Sequence, residues 1–129
     1  MTRTKILAPL LIAALALAVL VPTALAAVDW QIPLRHGPSF PRATGTAEYQ
    51  AQPGQRELQI EVEHVAKLAG KRVYFWANGS KFGSAIVNSH GVAEIDRNTE
   101  LGQRVPKIVH GSGVSVHTRS GSLIAKGRF

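Results

Sequence analysis

The chain has 129 residues, a formal net charge of +7 and no cysteine. That length accommodates one domain with a modest core, and the lack of cysteine excludes disulfides, a thiolate nucleophile and an acylated-cysteine anchor. The positive balance favours anionic partners, but Lys and Arg occur singly or in pairs, interleaved with Glu57, Glu61, Glu63 and Glu94. No continuous phosphate-tracking stripe can be read from that order, so nucleic acid is not an expected partner.

Arg3 and Lys5 precede an apolar run from Ile6 to Val21, followed by the small residues Ala24-Leu25-Ala26. This is the pattern of an export signal cleaved after Ala26; the run is shorter than the roughly 20 residues needed to cross a bilayer. Residues 1–26 are therefore expected to be a signal peptide. The mature product is expected to be secreted, periplasmic or extracellular, and soluble, with no stable membrane insertion. A terminal Phe129 hints at an outer-membrane barrel, but the strands are too few and too short and aromatic girdles are lacking.

Residues 27–42 carry Pro33, Pro38 and Pro41, each of which removes an amide donor and turns its predecessor away from helix. An extended leader is expected here. It is either a strap held by Trp30, Ile32, Leu34 and Phe40 or a linker to a β domain over 43–129.

From Ala43 the pattern has period two: Ala43, Gly45, Ala47, Tyr49 and Ala51 face one way, and Pro53-Gly54 then supplies a tight turn. Leu58, Ile60 and Val62 alternate with Glu57, Gln59, Glu61 and Glu63 to give a second strand. Asn78-Gly79, between 71–77 and 82–88, is the pair that favours a two-residue hairpin with both central residues at positive φ. Apolar parity shifts from Phe82 to Ala85 and Val87, which predicts a bulge near Gly83. A fifth strand covers 92–96 with Ala93 and Ile95 inward. A long connection over 97–113 holds one helical turn near 99–103, and a closing hairpin pairs Val114, Val116 and Thr118 with Leu123, Ala125, Gly127 and Phe129. About seven short antiparallel strands without a long amphipathic helix predict an all-β fold, an immunoglobulin-like sandwich or a small barrel.

Several of these residues carry a resemblance. The series Arg56 to Glu63, Leu68-Ala69-Gly70-Lys71, Asn78-Gly79 with Phe82-Gly83, Gly102 to Pro106 and the final Gly127-Arg128-Phe129 is similar to a group of small exported bacterial β domains. The resemblance implies a bacterial secreted domain and transfers no catalytic or binding residue.

No Gly-x-Ser-x-Gly nucleophile turn occurs, and Gly111-Ser112-Gly113 beside His110 reads as a loop entering a strand. The five histidines, His36, His64, His90, His110 and His117, include no His-x-His pair, so no metal or other cofactor is expected. His64 is expected at a strand rim with a backbone partner. The Glu57, Glu61 and Glu63 stripe reads as a solvated face paired with neighbouring Lys or Arg, and Asn78-Gly79-Ser80 as a turn rather than a glycosylation acceptor.

The best candidate surface is aromatic. Tyr74 and Trp76, two apart, point outward if Val73, Phe75 and Ala77 point inward, and Lys81 lies opposite Trp76 across the turn. These three residues are the candidate ligand-binding set, for a polysaccharide or an envelope protein partner. The opposing expectation is that the leader covers them. The chain is thus read as a non-enzymatic binding or structural module of the bacterial cell envelope, with no catalytic residue assigned. The alternative is a small secreted enzyme or metal-binding protein using the scattered histidines.

Overall fold

A computed structural model describes residues 27–129, and the export-signal expectation falls outside them. The described chain is all-β: β1 (Val28–His36), β2 (Thr44–Gln52), β3 (Gln55–Glu63), β4 (Arg72–Ala77), β5 (Ser80–Ile86), β6 (Ala93–Asn98), β7 (Gly113–Thr118) and β8 (Leu123–Arg128). Two short 3-10 turns, Ala66–Leu68 and Thr99–Leu101, lie in the connections. Every pairing is antiparallel, in the order β5-β4-β7-β8-β1-β2-β3-β6.

The sheet has two halves that share β1. Residues 28–34 pair with β2, whereas Arg35 and His36 pair with β8. One half is β1-β2-β3-β6 and the other β5-β4-β7-β8, and their inner faces bury Leu58, Ile60 and Val62 against a core that includes Val73, Phe75, Val116 and Ile124. The outer strands β5 and β6 then come together, so the sheet rolls into a nearly closed barrel. Gly83 of β5 sits at this seam: a Cβ there would overlap Ile95 Cδ1 and lie 2.9 Å from an Arg97 Nη atom. The strand can approach β6 this closely because it lacks a side chain at that point.

The segment expected to precede the domain as a leader is part of it. Its prolines keep it extended, but residues 28–36 form the strand that joins the two halves, with Leu34 buried in the core. Pro33 is exposed and lies where only the β2 ladder is paired, so its missing amide interrupts at most one ladder. The domain therefore does not begin at residue 43, and the described residues form eight strands where about seven were expected.

Two bulges set which side chains face inward. Phe75 pairs with Gly83 but Trp76 pairs with Lys81, leaving Phe82 as the extra residue, in agreement with the parity shift in the sequence. Val116 pairs with Ala125 but His117 pairs with Leu123, leaving Ile124 as a second extra residue. Ile124 and Ala125 are consequently both fully buried, whereas Leu123, which the alternation groups with Ala125, is only half-buried beside His117. Among the described residues no helix is long and apolar enough to cross a membrane.

Candidate functional site

The Asn78-Gly79 hairpin has the expected geometry, with φ of 52° and 77°. Asn78 is fixed further by its amide, which donates to the Gly113 carbonyl at 2.9 Å, and by its side chain, which donates to the Lys107 carbonyl at 2.9 Å. With Val73, Phe75 and Ala77 buried, β4 turns Tyr74 and Trp76 to its outer face, where both are half-buried. Trp76 pairs with Lys81 across the turn, but the Lys81 ammonium leans back over the Tyr74 ring, 4.9 Å from its centroid. The three candidate residues are thus brought together, with the cation on the other ring from the one expected.

The other neighbour of β4 supplies residues that sequence reasoning missed. Tyr74 is paired with His117 and Trp76 with Ser115, and the His117 imidazole meets the Trp76 ring edge-on at 5.7 Å. Burial holds the imidazole below its ordinary pKa, and its Nδ1 is enclosed without a hydrogen-bond partner. Neutral His117 therefore acts as a wall to Trp76. Tyr74, Trp76, Lys81, His117, Thr118, Arg119 and Gly121 line an open cleft of about 510 Å³. The outward parity of His117 could be read from Val114 and Val116, but its position beside Tyr74 depends on the β4–β7 pairing, which no local pattern reveals.

The aromatic residues expected as a cover lie elsewhere. Trp30 packs with Tyr49, Phe129 and His110 at centroid distances of 6.2, 6.4 and 5.9 Å. Phe40 is buried beneath the Lys67 ammonium, 4.6 Å from its ring centroid.

Folding sorts the charges that looked interleaved in the sequence. All eight acidic residues lie on the first half and its adjoining turn: Asp29 on β1, Glu48 on β2, Glu57, Glu61 and Glu63 on β3, Glu94 and Asp96 on β6, and Glu100 in the 3-10 turn. Among the described residues the cross-strand partners of the stripe are not the expected Lys or Arg: Glu57 stands between Gln50 and Asn98, Glu61 between Thr46 and Glu94, and Glu63 beside Thr44. The only basic residues of β2, β3 and β6 are Arg56 and Arg97, and they take the inward register opposite Ala51 and Leu58. Arg56 donates from Nη2 to the Val105 carbonyl at 3.0 Å. Outside, Glu61 stands opposite Glu94; hydrogen bonding with Glu63, then burial, then hydrogen bonding with Glu94 push its carboxyl up to about 7. Glu57 is raised as well, first by hydrogen bonding with Asp96 and then by burial.

Strands β4, β5, β7 and β8 carry no acidic residue and present Arg72, Lys81, Lys126 and Arg128. In the strand order β4 and β7 lie across the barrel from β2 and β3, so the aromatic face is basic and the face behind it acidic.

The histidines are dispersed. His36 donates from Nδ1 to the Gly37 carbonyl, exposed His64 shares a 2.9 Å hydrogen bond with Thr44 Oγ1 rather than a backbone group, and the His110 ring packs tilted against Trp30. Among the described residues no group of three or more His, Asp or Glu is arranged to hold a metal. Ser112 is buried, and its Oγ accepts the Val109 amide at 2.9 Å, which is a loop-closing role. The chain matches no protein-family model and no curated protein.

Proposed function

We propose that this chain is a non-enzymatic, exported binding module of the bacterial cell envelope, and that Tyr74, Trp76 and Lys81 contact a polysaccharide or an envelope protein. One observation carries this reading: two adjacent half-buried rings lie on the outer face of a sheet, with a lysine over one ring and a histidine against the other. Flat ring faces stack on apolar ligand surfaces, while the surrounding Lys81, Thr118 and Arg119 offer polar contacts at the cleft margin. The separate environments of the histidines favour binding over acid–base or metal chemistry.

Residues 27–129 should be screened against cell-wall polymers and polysaccharides, with Tyr74→Ala/Trp76→Ala as the comparison. The double variant is expected to lose binding while its unfolding free energy stays within about 1 kcal/mol, because outward side chains contribute little to the core. A loss of several kcal/mol, or unchanged binding, would refute this assignment.

A further inference from the structure

Strand register places a second feature on the same face. Lys81 of β5 pairs with Trp76 of β4, Trp76 with Ser115 of β7, Ser115 with Lys126 of β8, and Lys126 with Arg35 of β1. These residues form one row across five strands. Lys81, Lys126 and Arg35 are exposed, and Trp76 and Ser115 are half-buried. Adjacent strands are about 4.8 Å apart, so the two lysines anchor the row roughly 14 Å from one another, with an aromatic ring and a hydroxyl between them. Tyr74, beside Trp76 on β4, widens the aromatic part.

We infer that this row is a track for an acidic polysaccharide, a sugar chain bearing carboxylates, which crosses the strands rather than running along them. The inference rests on the binding-face reading above and names its ligand class. Charge complementarity selects an anion, since β4, β5, β7 and β8 carry no Asp or Glu and all the acidic residues lie on the other half and its adjoining turn. The position of the rings selects sugars over a bare polyanion: Trp76 stands between the cations, where a chain with anionic groups alone would bring nothing to stack on it. Trp76 would hold the apolar face of a sugar ring in the row, with Tyr74 widening that platform to one side, Lys81 would take a carboxylate at one end, and Lys126 with Arg35 another at the far end. Ser115 offers its hydroxyl to the sugar hydroxyls between them. The acidic half behind the track would repel the same polymer, so binding is confined to one side of the barrel.

Polygalacturonate, neutral dextran, polyphosphate and oligothymidylate are the probes, measured by titration at neutral pH with residues 27–129. Polygalacturonate is expected to bind at least about tenfold more tightly than the other three, and progressively more weakly as salt is added. Trp76→Ala should weaken it by about tenfold and Lys126→Gln by several-fold, while Lys67→Gln, which removes the same charge from the Ala66–Leu68 turn, should stay within about twofold. Lys126 is exposed, so its variant reports on binding even if Trp76→Ala melts early. Equal binding of dextran that is lost in Trp76→Ala would leave the binding face standing and overturn the acidic class. Polyphosphate or oligothymidylate binding as tightly as polygalacturonate would overturn the sugar assignment. Polygalacturonate binding unchanged in Trp76→Ala and Lys126→Gln overturns the track, and failure of both polysaccharides to bind overturns it too while leaving an envelope protein as the partner of the binding face.

Discussion

Asn78 and Gly79 show how far a pair of residues can be read unaided. Both adopt the positive φ that a two-residue hairpin turn demands, a conformation open to Asn and Gly and costly for a β-branched residue. Gly79→Val is expected to destabilise the domain by about 1 to 3 kcal/mol in chemical denaturation; unchanged melting would refute the strain. Glu61 illustrates the opposite case, since Glu63 is its neighbour along β3 but Glu94 joins them only after β3 pairs with β6. Its folded carboxyl titrates at about 7 against an ordinary value of 4.5, so between these values the folded chain retains a proton that the unfolded chain releases. Its contribution to stability is full below about 4.5, declines as the pH rises and is lost above about 7. Thermal melts at pH 4 and pH 8 should therefore differ less for Glu61→Gln than for the parent, with the variant gaining relative stability at the higher pH. An identical pH dependence would show that Glu61 is not crowded.

Elements with period-two alternation were legible because one face of each is buried and the other wet. Leu58, Ile60 and Val62 of β3 are fully buried, and Val73, Phe75 and Ala77 of β4 are buried to a similar degree. β1 was harder to place, because three nearby prolines signal an extended chain and a strand flanked by two partners is extended for a different reason: Leu34 gains burial there and most of its amides remain free to pair. β8 departs from alternation at one position. The bulge at Ile124 lets two consecutive residues face the core, which strict alternation forbids. Ile124→Ala is expected to cost about 2 to 5 kcal/mol and Leu123→Ala less than about 1 kcal/mol. Equal costs, measured by denaturant unfolding, would place the bulge elsewhere.

At the scale of the whole molecule, closure depends on the contact between β5 and β6, where no continuous ladder joins them. Gly83 allows that contact because Ile95 and Arg97 occupy the space a side chain would need. Gly83→Val should cost about 1 to 3 kcal/mol through overpacking and should accelerate amide exchange in β5 and β6 more than in β2. Uniform exchange across the sheet would show that the seam is not a separate point of weakness. Closure also separates charge: the acidic residues gather on one half while the cations of the other half surround the rings. The arrangement allows a protein of modest net charge to present a concentrated basic surface on one side.

By itself the sequence determined the period of the strands, their turns, a bulge near Gly83 and the shared outward face of Tyr74 and Trp76. Each of these is decided within a few residues by φ preferences, alternation and side-chain size. The tertiary structure alone decided that residues 28–36 belong to the sheet, that His117 borders the rings, and that Lys81, Trp76, Ser115, Lys126 and Arg35 form one row. The physical reason is that non-local strand pairing depends on complementarity between whole faces, and residues far apart in the chain acquire a shared surface only when those faces close over a common core.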